Sequence, residues 1–142
     1  MSLARTVGGM FAMGMLAICW LSSAKIVSGA QEPTGVDFYT QKVQPILSSN
    51  CYRCHGGTNH RGGLQIDSRA SLLKGGRDGV VVVPGHADQS LLVKLIRHEG
   101  PANDPMPMPP KPHEKLSDAD IATITKWIND GALMPDVPPA PK

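Results

Sequence analysis

The sequence predicts a small all-α fold, three to five short helices joined by long glycine- and proline-rich loops. Three observations lead there. Apolar residues recur at helical spacing in separate windows: Val43, Ile46 and Leu47; Leu91, Leu92, Leu95 and Ile96; Ile121, Ile124, Trp127 and Ile128. The 15 glycines and 13 prolines concentrate between those windows, where a helix cannot continue. The one β-branched run, "GVVVVPG", is ended by Pro84 and has no obvious partner strand, so it predicts extended chain.

At the N-terminus, Arg5 precedes an apolar run from Val7 to Leu21, followed by small and polar residues. This is the layout of a secretory signal peptide and is too short for a comfortable membrane span. Cleavage after Ala24 or Ala30 satisfies the small-x-small rule; Ala30 is preferred, because it leaves "QEPTG" as a polar leader. Cys19 in "LAIC" resembles a lipobox, but Ile18 stands where a small residue is expected, which argues against a lipid anchor. The division expected is a signal peptide over 1–30, a leader over 31–35, a folded domain over 36–134 and a disordered Pro-rich tail over 135–142. Export places the mature protein in the periplasm.

Removing residues 1–30 takes away Arg5 and Lys25, so Lys+Arg falls from 14 to 12 against 12 acids and the net charge from +2 to 0. A neutral chain gives no reason to expect nucleic-acid or anionic-membrane binding. Of 3 cysteines, Cys51 and Cys54 remain. In an oxidising compartment, two cysteines this close are bridged, bound or modified.

The first helical segment, "VDFYTQKVQPILSSN", carries Val36, Phe38 or Tyr39, Val43, Ile46 and Leu47 near helical spacing, with Asp37 close to its start. Pro45 predicts a kink or an end near Gln44. Residues 56–63 hold four glycines in "GGTNHRGG" and read as loop. "DSRASLLKGG" predicts a short helix capped by Asp67 or Ser68, burying Leu72 and Leu73 and stopping at Gly75. "DQSLLVKLIRHEG" predicts a second, with Leu91, Leu92, Leu95 and Ile96 on one face and Gly100 beyond its end. "PANDPMPMPPKPHEK" must be extended. The last helix, in "LSDADIATITKWINDGA", has Ser117 as its cap, Asp120 three residues on, and Gly131 at its end. Trp127 is expected to pack on the first helix near Phe38. With only two Trp, two Tyr and two Phe, such short helices bury little apolar area, and a large apolar cofactor would supply the missing core.

The stretch "SSNCYRCHGGTNHRGG" carries the chemistry. Cys51, Cys54 and His55 form the C-x-x-C-H pattern of covalent haem attachment, in which both sulfurs and the imidazole lie on one side of a helical turn. Zinc would need four ligands, and His60, His86, His98 and His113 are scattered singly. A redox dithiol would expect a βαβ pattern beside it, which is absent from the sequence pattern. Haem is therefore favoured. Its sixth ligand would come from Met106 or Met108 in "DPMPMPP", each held extended by the following proline. A bis-histidine site is the main competitor, and Met134 a remote third choice. The four lone histidines are otherwise expected to face solvent. Thioether ligation raises the reduction potential and leaves no site open, which suits an electron carrier.

Together, "FYTQKVQPILSSNCYRCHGG", "RGGLQIDSRASLLKGG", "VVVPGHADQSLLVKLI" and "MPMPPKPHEKLSDADIATITKWINDGA" resemble the planctomycete-type cytochrome c domain, a branch of the class I cytochrome c fold, over about residues 36–134. The resemblance implies crossed first and last helices and one covalent haem c in a cleft. It implies Cys51 and Cys54 as attachment points, His55 as proximal ligand and Met108 as distal ligand, with Met106 the second choice. Where ordinary cytochromes c present a Gly-Pro carbonyl to the proximal histidine, this chain has "GGL", and the Gly63 carbonyl is expected to serve. The function implied is a periplasmic one-electron carrier, not an enzyme, working with periplasmic redox proteins or a membrane oxidoreductase as a monomer or a subunit of a redox complex. The alternatives are a haem enzyme or gas sensor with an open sixth site, or a haem subunit of a larger dehydrogenase complex.

Overall fold

The computed structural model describes residues 31–99 and 107–136. The expected signal peptide with Cys19, Ala24 and Ala30, the loop methionine Met106, and the tail from 137 lie outside the described residues. Helix predominates among those described, and the only strand among them is the two-residue Asn59–His60.

Helix α1, Gly35–Phe38, runs into a π turn, Tyr39–Val43, and on into α2, Gln44–Asn50. Pro45 accounts for the break. It has no N–H to donate four residues back, and its ring crowds the carbonyl there, so the helix widens by one residue ahead of it. Pro45 itself falls in the first turn of α2, where a missing N–H costs nothing. The kink predicted near Gln44 is thus a π turn. Phe38, Tyr39, Val43 and Leu47 are buried. Val36, expected on the same stripe, is 41 % exposed, because the π turn rotates α1 about the helix axis relative to α2.

Cys51 joins α2 to α3, Tyr52–His55. The loop after it is tighter than its glycines suggested: His55 pairs with His60 and Gly56 with Asn59 as antiparallel bridges. Helix α4, Arg69–Lys74, is capped by Ser68, whose hydroxyl accepts from the Ser71 N–H at 3.3 Å. Leu72 is buried, whereas Leu73 stays half-buried rather than in the core as expected. Gly75 closes the helix at φ 76°, and a Cβ there would stand 2.1 Å from the Gly79 carbonyl oxygen. Only glycine fits that approach.

The valine run is extended, as its composition predicts, with Val81 and Val82 buried. Ser90 ties it down: its fully buried hydroxyl accepts from the Val83 N–H and donates to the His86 carbonyl, each at 2.9 Å. Helix α5, Leu91–Ile96, buries Leu92, Val93 and Ile96. The predicted face had Leu91 and Leu95 in place of Val93; both are half-buried. The helix stops before Gly100, because His98 turns the chain at φ 60°.

Helix α6, Asp118–Asn129, is capped by Ser117, which accepts from the Asp120 N–H at 3.1 Å. Its four predicted core residues, Ile121, Ile124, Trp127 and Ile128, are all buried. The Trp127 ring lies 5.5 Å from that of Tyr39, one residue beyond the expected contact at Phe38, and its Nε1–H donates to the Leu133 carbonyl at 2.8 Å. Arg69 reaches across from α4 to the carbonyls of Gly131 and Ala132. The first and last helical stretches therefore share one apolar core, fixed at its rim by side-chain bonds to backbone.

Candidate functional site

Cys51, Cys54 and His55 occupy one turn. The Cys51 N–H donates to the Leu47 carbonyl at 2.8 Å, which carries the chain out of α2. The Cys51 carbonyl then accepts from the N–H groups of Cys54 at 3.1 Å and His55 at 2.9 Å. The two thiols are unbridged and half-buried. Burial pushes the Cys51 thiol up to about 11, with the neighbouring Cys54 adding to it.

The segment 64–67 holds this turn from the side. The Ile66 N–H donates to the His55 carbonyl at 2.8 Å, and the Gly57 N–H donates to Asp67 Oδ2 at 2.6 Å. His55 Nδ1 lies 3.3 Å from the Leu64 carbonyl. A carbonyl only accepts, so Nδ1 carries the proton and Nε2 is left with its lone pair. The acceptor expected was Gly63. Gly62 and Gly63 both take left-handed conformations, at φ 64° and 70°, and this turn brings forward the next carbonyl, that of Leu64. The Gly62 carbonyl is engaged by the Arg77 N–H at 2.7 Å.

Met108 is half-buried and borders the same core as Cys51, Tyr52 and Leu64. Its N–H donates to the Leu95 carbonyl at 3.1 Å, which fastens the proline-rich segment to the end of α5. His60, His86, His98 and His113 are exposed, as their isolation in the sequence predicts. His60 Nε2 is hydrogen-bonded at 2.7 Å to the Gly57 carbonyl. Met134 is 4 % exposed and packs within the core.

Sequence reasoning missed Tyr52 and Asp67. Tyr52 sits between the two cysteines, and its hydroxyl lies 2.7 Å from that of Tyr39. Burial raises the pKa of both phenols above the ordinary value. The place of Tyr52 inside the motif was visible in the sequence; its partner, thirteen residues earlier, was not.

The donor set fits a covalently held haem. Two unbridged thiols flank one turn, an imidazole offers Nε2 with its other nitrogen fixed, and a thioether borders the same core. Among the described residues, no three His, Cys, Asp or Glu side chains converge to hold a metal ion by themselves.

Residues 51–112 match the family model for planctomycete cytochrome C. The chain carries a planctomycete-type cytochrome c domain. The match begins at Cys51 and includes His55, Leu64, Asp67 and Met108. A cytochrome c domain implies covalently bound haem c, and the cysteine pair such attachment needs is present as Cys51 and Cys54. This cytochrome domain has no significant match among curated proteins. Among solved structures it is similar to Kuenenia stuttgartiensis hydrazine synthase, at 28 % identity and a TM-score of 0.43. That likeness covers 70 % of this chain and 16 % of the other, so the chain spans only a small part of that protein's length. Among the described residues of the cytochrome, no helix is long and apolar enough to cross a membrane.

Proposed function

We propose that the protein is a periplasmic monohaem c-type cytochrome that carries single electrons between redox partners, with His55 and Met108 as axial ligands. The observation that carries this reading is the bond from His55 Nδ1 to the Leu64 carbonyl, in the same turn that presents Cys51 and Cys54. It fixes the tautomer and the ring orientation that a proximal ligand needs.

Haem, when bound, supplies an iron that accepts and releases one electron without making or breaking bonds to substrate. The chain does the rest. Cys51 and Cys54 would anchor the macrocycle as thioethers, and His55 would offer Nε2 to the metal. Leu64 keeps the imidazole from turning. The proline-bound Met108 presents its thioether from a segment tied to Leu95, and a thioether in that position favours the reduced state relative to a second histidine. With His55 and Met108 both holding the iron, no position would be left for a substrate, and the working partners would be redox proteins or a membrane oxidoreductase.

The test is an optical spectrum of the purified protein beside its Met106→Ala and Met108→Ala variants. The expected wild-type spectrum has the reduced α band of haem c and, when ferric, the far-red charge-transfer band of a methionine–iron bond. Met108→Ala should lose that band and become open to cyanide, while Met106→Ala keeps it. A colourless product sinks the reading, and a wild-type protein already open to cyanide replaces the carrier with a haem enzyme or gas sensor.

A further inference from the structure

Asp67 divides its two oxygens between different tasks, and only one of them is explained by the loop it holds. Oδ2 accepts from the Gly57 N–H, two residues after His55, at 2.6 Å. Oδ1 is buried and has no hydrogen-bond donor. A buried acceptor left without a donor is costly, and native structures rarely keep one without a reason.

Tyr39 and Tyr52 are the chain's 2 tyrosines, and their hydroxyls bond to each other at 2.7 Å. Each phenol has one O–H, so their mutual bond uses one proton and leaves one over, whichever of them donates. Among the described residues, neither hydroxyl has a further protein partner. The Gly57–Asp67 and Ile66–His55 bonds place Asp67 beside the turn that carries Tyr52, with no direct bond from either hydroxyl to Oδ1; burial raises both phenols most, and the Asp67 charge adds to the rise in each. The same part of the fold thus holds an acceptor lacking a donor and a donor lacking an acceptor.

We propose that Asp67 is a positioning residue of the proximal side, clamping the loop after His55 with one oxygen and taking the leftover phenolic proton of the Tyr39–Tyr52 pair with the other through one bridging water. The relay then runs from Trp127 in α6, through the Tyr39 ring and the Tyr52 hydroxyl, to the loop that orients His55. It also keeps a negative charge in partly buried surroundings near the haem attachment turn. A fixed negative charge there stabilises the oxidised, more positive state of the iron and lowers the reduction potential. The inference rests on the haem reading above.

The haem-loaded protein and its Asp67→Asn, Asp67→Ala and Tyr52→Phe variants, with the Asp67→Asn/Tyr52→Phe double variant, test it. Asp67→Asn keeps an oxygen for the Gly57 N–H but removes the charge. It should retain the far-red band and the thermal midpoint while its reduction potential rises. Asp67→Ala loses the clamp as well, and its far-red band should weaken or shift. The potential shifts of Asp67→Asn and Tyr52→Phe should fall short of their sum in the double variant, because each breaks the same relay. An unchanged potential in Asp67→Asn, or strictly additive shifts, overturns the proposal. So does an Asp67→Ala variant that melts lower with an unaltered spectrum and potential, since that is a merely structural role. If Asp67→Ala does not fold, Asp67→Asn and the double variant decide alone. A haem-free wild-type protein would defeat the functional reading itself, whereas a haem-loaded wild type with an indifferent Asp67→Asn defeats this inference only.

Discussion

Tyr52, Tyr39 and Trp127 form a buried aromatic column, joined by a hydroxyl bond at one end and a 5.5 Å ring contact at the other. Trp127→Ala empties the most voluminous fully buried site and breaks the bond to the Leu133 carbonyl. It should cost about 3–5 kcal/mol, measured by denaturant unfolding of the loaded protein. The phenols make a pH prediction. Their folded pKa values are raised above 10.0, chiefly by burial, so the folded state holds their protons more tightly than the unfolded one. The stability they contribute is complete below pH 10.0 and is lost as pH rises beyond it. Phenolate absorbance should therefore be absent where a free tyrosine has already ionised, and should appear together with loss of helix signal. At this scale the sequence made Trp127, Cys51, Cys54 and His55 readable, because spacing within one turn decides them. The Tyr39–Tyr52 bond and the Asp67 contact to Gly57 were not readable, because each joins residues ten or more apart.

Helix ends follow local chemistry, and they are where sequence and structure agree most closely. Ser68 and Ser117 cap α4 and α6 through their own hydroxyls. Ser117→Ala should lower stability by about 1 kcal/mol in thermal or urea unfolding, with Ser117→Gly milder. Gly75→Ala is the sharper test, since it forces a positive φ and drives a methyl into the Gly79 carbonyl. It should cost well over about 1 kcal/mol, and a variant of wild-type stability would contradict the turn described between α4 and the valine run. The readings that changed depended on neighbours in space rather than on neighbours in the chain. Which of Leu91, Val93 and Leu95 enters the core is set by what α5 packs against, and the acceptor for His55 moved from Gly63 to Leu64 through two left-handed glycines.

For the whole molecule, helical periodicity gave the all-α class because every long apolar window has that period, and the one β-branched run found no partner. The core those windows build is modest, and covalent attachment should add to it. A Cys51→Ser/Cys54→Ser double variant is expected to release its haem to acidified acetone and to melt well below the attached form, whereas wild-type haem stays with the polypeptide. The three ion pairs among the described residues are all exposed, and such pairs contribute little, so melting should barely respond to added salt. The π turn at Tyr39–Val43 does more than accommodate Pro45. One residue of helix is about 100° of rotation, so this turn works as an angular offset between Phe38 and Tyr39, which face α6, and the stretch that delivers Cys51. Were all five residues of the π turn regular α-helix, the turn carrying Cys51 would be swung by roughly 100° out of alignment with the core. The gauge that aims the cysteines is a surplus residue placed well upstream of the chemistry.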